Sequence, residues 1–232
     1  MTDDPAVPTR SPREQARARR FAEGYDRMLA GLERRVLADV RRRLLADVRG
    51  HVVEIGAGTG ANVEHYAAAT PVDLVEPLPA MREQALRRVA GRAAGAASMR
   101  VLAGRAEALP VPDGVADAVV STLVLCSVDD VGAALAEVAR VLRPGGAFLF
   151  LEHERGRGAR GWVQSALTPL SVRYAANCHL DRDLGAGLDR AGFEIVDPLV
   201  VDAPLAVRLL PDWPLRAGRA RLAATACGAA SA

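Results

Sequence analysis

At 232 residues, half of them hydrophobic, the chain is long enough for one sizeable α/β core, and no composition break argues for a second domain. Its thirty basic residues, all arginine, are nearly balanced by 28 acids, and a net charge of +2 gives no argument for a nucleic-acid partner. No apolar run approaches the roughly 20 residues of a membrane span, so no stable membrane insertion is expected.

The start, Met1-Thr2-Asp3-Asp4-Pro5, is acidic and proline-bearing, unlike a secretory signal, and a cytoplasmic protein is expected. Cys126, Cys178 and Cys227 are odd in number and widely spaced, which supports neither a disulfide framework nor a metal site. Residues 1–12 read as a mobile tail and 13–49 as two amphipathic helices broken near Gly31. Arg41, Arg42 and Arg43 fit a solvated helix face better than a lipid contact. Tyr25 could close over a ligand or pack in the core.

The region 50–153 carries the organising signal. Val52-Val53-Glu54-Ile55 is a short apolar run that breaks into Gly56-Ala57-Gly58-Thr59-Gly60, a strand running into a tight turn. Glycines at alternate positions can adopt positive φ and let backbone N–H groups approach a ligand. A helix is expected over 61–69 and a second strand over 71–76. Its last residue, Glu76, lies about twenty residues past Gly56, the separation at which a carboxylate can accept from ribose hydroxyls. A helix over 79–90, strands over 98–102 and 116–121, and a helix over 129–142 predict a parallel sheet with ligands at the strands' carboxyl ends.

The glycine turn also satisfies the looser dinucleotide fingerprint through Gly56, Gly58 and Ala61, so alone it leaves a nicotinamide cofactor open. Later residues decide. Arg143-Pro144-Gly145-Gly146-Ala147-Phe148-Leu149-Phe150, a turn that stops a helix and launches an apolar strand, together with Glu54, resembles the S-adenosylmethionine-dependent class I methyltransferases. Thr122-Leu123-Val124-Leu125-Cys126-Ser127-Val128, the stretch from Glu137 to Phe148, Glu152-His153 and Asn177-Cys178-His179-Leu180 are similar to the methyltransferase-like thiol S-methyltransferases of animal microsomes. The likeness runs from Tyr25 to about Leu205. The hydrophobic anchor of those proteins has no counterpart in these residues, so membrane attachment is not expected to carry over.

That resemblance implies a Rossmann-like α/β fold with a mostly parallel seven-stranded sheet, helices on both faces and an N-terminal helical extension. It implies S-adenosyl-L-methionine as cofactor, leaving as S-adenosyl-L-homocysteine. Glu54, Gly56, Ala57, Gly58 and Gly60 would contact the methionine end, Asn62 would support the turn, and Tyr25 could cover it. Glu76 would hold the ribose, with Pro77 and Met81 beside the adenine. Where many relatives place an aspartate for the adenine amine this chain has Arg105, which cannot accept a hydrogen bond, so Ala106 or Glu107 would serve. Thr122 and Leu123 would border the sulfonium. His153 and His179 are the candidates for favouring a thiolate or removing a proton. Neither a magnesium site nor any other metal is expected.

Residues 154–222 hold a substrate-covering insertion, with Trp162, Leu167, Leu170 and Tyr174 as its apolar wall, then a helix over 181–191, a strand over 193–200 and a reversed edge strand from Pro204. Residues 223–232 read as a disordered tail. The expected activity is methylation of a small molecule, most simply a thiol. An O- or C-methyltransferase of a natural-product or quinone-like acceptor, and a cofactor-binding regulator without catalysis, are the alternatives. Oligomeric state is not legible.

Overall fold

The computed structural model describes residues 12–92, 97–175, 177–210 and 213–223; the tails expected at 1–12 and 223–232 lie outside these apart from Pro12 and Ala223. Helix α1 (Pro12–Leu32) runs through a π-helical turn (Glu33–Leu37) into α2 (Ala38–Leu45). Then come β1 (Val52–Ile55), β2 (Val72–Glu76), α3 (Pro79–Ala90), β3 (Met99–Ala103), β4 (Ala116–Thr122), α4 (Val131–Val141) and β5 (Leu142–His153). The chain continues as α5 (Ala159–Tyr174), α6 (Leu184–Arg190), β6 (Phe193–Leu199), α7 (Leu205–Arg208) and β7 (Leu215–Leu222).

The seven strands form one sheet in the order β3-β2-β1-β4-β5-β7-β6. β1 to β5 pair in parallel, and β7 runs antiparallel between β5 and β6. β1 and β2 are buried at every position, as strands covered on both faces must be. Alternation decides which side chain goes where. Val53, Ile55, Phe148 and Phe150 pack with α4 and α6 on one face, while Val52, Val120, Leu149 and Leu151 pack with α2 on the other. The chain reverses order at β1, between β2 and β4, and a ligand cleft belongs at the carboxyl ends there.

Three expectations are corrected. The N-terminal helix does not break at Gly31, since one glycine costs a helix only about 1 kcal/mol. The irregularity instead comes in the π-helical turn, which buries Val36 and Leu37. Residues 61–69 form successive turns rather than a helix. Arg92 donates to the carbonyl oxygens of Val63 and Ala67, at 2.6 and 3.4 Å, competing for acceptors an α-helical ladder would use. The reversed strand begins at Leu215, after α7, and lies inside the sheet; β6 is the edge. Among the described residues no helix is long and apolar enough to cross a membrane.

Candidate active site

The turn after β1 has the expected backbone: Gly56, Gly58 and Gly60 take φ of 57°, 58° and 83°. At Gly56 a Cβ would lie 2.5 Å from the Val124 side chain, so only glycine fits that passage. The Gly58 N–H donates to Glu76 Oε2 at 2.9 Å, and the Leu78 N–H donates to Glu76 Oε1 at 2.8 Å. The fold thus brings the glycine turn and the carboxylate ending β2 into direct contact. Pro77 is half-buried beside them, and Met81, at the first turn of α3, is buried.

Below the turn lies a polar network that the sequence did not reveal. Glu54 is 1% exposed, and its two carboxylate oxygens accept from Asn62 Nδ2 at 3.0 Å and the Tyr66 hydroxyl at 2.7 Å. The Glu54 carboxylate therefore braces the turn through Asn62 and Tyr66. Burial pushes Glu54 up to about 7, against the opposing effects of Tyr66, Arg41 and Asn62. Arg41, placed by sequence on a solvated face, is instead 3% exposed. Its Nη1 donates to Asn62 Oδ1 at 2.7 Å and Thr122 Oγ1 at 2.8 Å, and its Nε donates to Glu33 Oε1 at 3.1 Å. The π-helical turn sets the register that aims this arginine inward. A triplet of arginines hides which one faces the core; only the neighbouring apolar rows could have signalled it.

Helix α1 crosses over the turn. Thr59 Oγ1 donates to Asp26 Oδ1 at 2.7 Å, and Gln84 Nε2 donates to the Ala22 carbonyl at 2.8 Å. Tyr25 stacks on Phe21 with ring centroids 5.3 Å apart. Burial raises its hydroxyl well above the usual range, with the Arg41 charge opposing.

At the neighbouring edge Arg105 bridges Glu107 and Asp129, and Glu107 Oε1 also accepts from the Asp129 N–H at 2.7 Å. The arginine thus clamps the loop after β3 to the start of α4. Glu107 is held in that clamp, and Ala106 is buried alongside.

β4 ends in an unusual conformation. Thr122 is tied to Arg41 and Asn62, and Leu123 takes φ 60°, a strained region for a branched side chain. Glu152, fully buried, secures this bend by accepting from Ser121 Oγ at 2.6 Å and from the backbone N–H groups of Val124 and Leu125 at 3.0–3.1 Å. Burial raises Glu152 while these donors oppose it.

Beyond the bend the fold assembles three residues scattered in sequence. Cys126 follows β4, His153 ends β5, and Cys178 precedes α6; one ligand atom from each lies within 4.8 Å of the others. Cys178 Sγ is 3.7 Å from His153 Nδ1. The Cys126 thiol pulls Cys178 down to about 5, with His153 helping and burial opposing, while Cys126 is raised by Cys178 and by burial. His179 joins only through its backbone, which donates to the Cys126 carbonyl at 2.7 Å. The insertion contributes less wall than expected. Trp162, Leu170 and Tyr174 point outward, Trp162 being 79% exposed, and Leu167 alone of the four packs against Cys126, Cys178 and Leu180. An amphipathic pattern could not say which side of α5 faced the sheet. Gln164, fully buried, fixes the loop before α5 by accepting from the Gly156 N–H at 2.7 Å.

The strand order, the glycine turn and the acidic end of β2 define a class I S-adenosylmethionine-dependent methyltransferase. A family described as methyltransferase domain matches residues 53–150. The human thiol S-methyltransferase TMT1A is 32% identical over 193 residues, covering 82% of this chain and 79% of that protein. A Thermotoga maritima structure, described as an S-adenosylmethionine-dependent methyltransferase and possible histamine N-methyltransferase, superposes with a TM-score of 0.61 at 25% identity, covering 88% of this chain and 98% of its own. A shorter match, 44% identical over 84 residues, is to the ubiquinone/menaquinone biosynthesis C-methyltransferase UbiE of Methylobacterium nodulans, covering 36% of this chain and 31% of that one. The chain belongs to the thiol S-methyltransferase family and uses S-adenosylmethionine.

Proposed function

We propose that this enzyme, a single methyltransferase domain, transfers the methyl group of S-adenosylmethionine to the sulfur of a small-molecule thiol. The methionine end would lie against the backbone of Gly56, Ala57, Gly58 and Gly60, a turn that Glu76 fastens through the Gly58 N–H. Glu76 would take the ribose hydroxyls, with Pro77, Met81 and the Ala106 backbone around the adenine and Tyr25 closing above. Thr122 and Leu123 would border the sulfonium, with Asn62 and Glu54 holding the turn in place.

The observation that carries the acceptor is the pairing of Cys178 Sγ with His153 Nδ1 beside the end of β4. That pairing already sets a sulfur against an imidazole nitrogen beside the end of β4, the contact an acceptor sulfur would also need. In the transfer, the acceptor thiol first loses its proton to solvent, and a thiolate lone pair forms the new S–C bond. The sulfonium S–C bond breaks in line, its electron pair staying on S-adenosylhomocysteine. Alignment in a dry cleft supplies most of what that displacement needs. His153 would present a ring nitrogen to sulfur there, and His179, whose backbone N–H donates to the Cys126 carbonyl, would lie beside it.

Two buried free thiols fit a reducing, cytoplasmic setting. The local likeness to a quinone C-methyltransferase favours a second reading, a carbon acceptor of quinone type. Incubation with methyl-labelled cofactor and a panel of alkyl thiols, aryl thiols, phenols, quinols and amines tests both. Label on thiols is expected; label confined to phenols, quinols or amines would refute a sulfur acceptor.

A further inference from the structure

We propose that Cys126, His153 and Cys178 hold a zinc ion whose fourth position takes the sulfur of the methyl acceptor. This deepens the thiol reading above and rests on it.

The geometry fits the ion. Tetrahedral zinc, with bonds of about 2.3 Å to sulfur and about 2.0–2.1 Å to nitrogen, needs its ligand atoms about 3.6–3.8 Å apart. Cys178 Sγ and His153 Nδ1 are 3.7 Å apart, and all three donor atoms fall within 4.8 Å of one another. Two cysteines with a histidine make a donor set suited to zinc, and three protein ligands leave one position open, as catalytic zinc sites do.

The surroundings also fit. Cys126 and Cys178 are 4% and 8% exposed, and Leu180, Leu167 and Ala175 pack around them as an apolar shell that limits water. The nearby Glu152 carboxylate is engaged by Ser121, Val124 and Leu125, so it does not compete as a ligand. Buried cysteines alone would pass as small apolar core residues. A histidine nitrogen 3.7 Å from one of them adds a donor that apolar packing does not require.

The location gives the ion its task. All three donors sit at the carboxyl end of the sheet, and Cys126 Sγ is 3.8 Å from the carbonyl of Leu123, the residue placed beside the sulfonium. An incoming thiol would displace water from zinc and release its proton to solvent, forming a Zn–S bond. That sulfur then attacks the methyl carbon, the sulfonium S–C bond breaks toward S-adenosylhomocysteine, and the neutral thioether, a poorer ligand, leaves. No electron is gained or lost overall.

The test uses the full chain, kept reduced with a phosphine so that no added thiol fills the open position. Elemental analysis after dialysis is expected to find about one zinc per chain. Cobalt(II) in its place is expected to show thiolate charge-transfer absorption and intense tetrahedral visible bands, which shift on adding thiophenol but not phenol. Cys178→Ser and His153→Gln, each checked for native circular dichroism and cofactor binding, should lose the ion. Failure to retain either metal, the same cobalt spectrum in both variants, or no response to thiophenol would overturn the assignment. Thiol methylation undiminished in metal-free protein would likewise overturn it and leave the thiol reading standing. Bound zinc in a protein that methylates only phenols would overturn the acceptor's place on the ion together with that reading.

Discussion

Replacing Arg41 with methionine removes a buried cation from beneath the glycine turn. The side chain makes hydrogen bonds to Asn62 and Thr122 and an ion pair with Glu33, and its charge also lowers Glu54. Breaking one partner out of a buried ionic network costs about 3–5 kcal/mol, because the remaining groups stay buried without compensation. For a chain of this size each kcal/mol lowers Tm by roughly 2–4 °C, so a fall of about 6–20 °C is expected in a thermal melt. The loss should depend on pH with a definite sign. Without the guanidinium, folded Glu54 holds its proton more tightly than in the parent, where it already sits near 7. Protonation then relieves the uncompensated charge at acid pH, and the deficit grows between about pH 6 and pH 8.5. Urea titrations of parent and variant at several pH values measure it. A deficit below about 1 kcal/mol, or one that does not change with pH, would refute the assigned burial of this arginine.

In the parent, Glu54 is raised from 4.5 to about 7, so its contribution is fully present below pH 4.5 and is lost as pH rises through 7, by up to about 3 kcal/mol; Glu54→Gln should flatten that slope in urea unfolding. Gly56→Ala places a Cβ 2.5 Å from Val124 at positive φ, so a loss of about 1–3 kcal/mol in stability and failure to bind cofactor by calorimetry are expected. Glu76→Ala should weaken S-adenosylmethionine binding by roughly 1.5–3 kcal/mol, and unchanged calorimetric affinity would remove Glu76 from the ribose.

The cofactor half of the fold was legible because its signals are local. The glycine turn, Glu76 at the end of a short apolar run and the Pro-Gly-Gly stop after α4 each declare a backbone state within a few residues, and helix 79–90 matches α3 in both bounds. The acceptor half was not, because its residues meet only through the sheet. Cys126, His153 and Cys178 are separated by 27 and 25 positions along the chain and share no spacing rule. Arg41 was misplaced for a related reason: whether an arginine on an amphipathic helix faces water depends on what lies opposite, here Asn62 and Thr122. The outward turn of Trp162 and Tyr174 was hidden for the same reason, since apolar and polar residues are mixed around α5 and its buried side carries Gly161 and Gln164.

The helix that bridges the glycine turn is fastened there by Thr59 to Asp26, Gln84 to Ala22 and an ion pair between Arg88 and the half-exposed Asp26. Such exposed pairs are worth about 0–1 kcal/mol. The helix over the cleft is thus held at one end by side-chain contacts with the turn and at the other by the π-helical turn, where Val36 and Leu37 are buried in the core. Whatever enters or leaves beneath that helix passes contacts made by Asp26 and Ala22 rather than by any strand, so the rim of the cleft can vary in sequence while the sheet stays fixed.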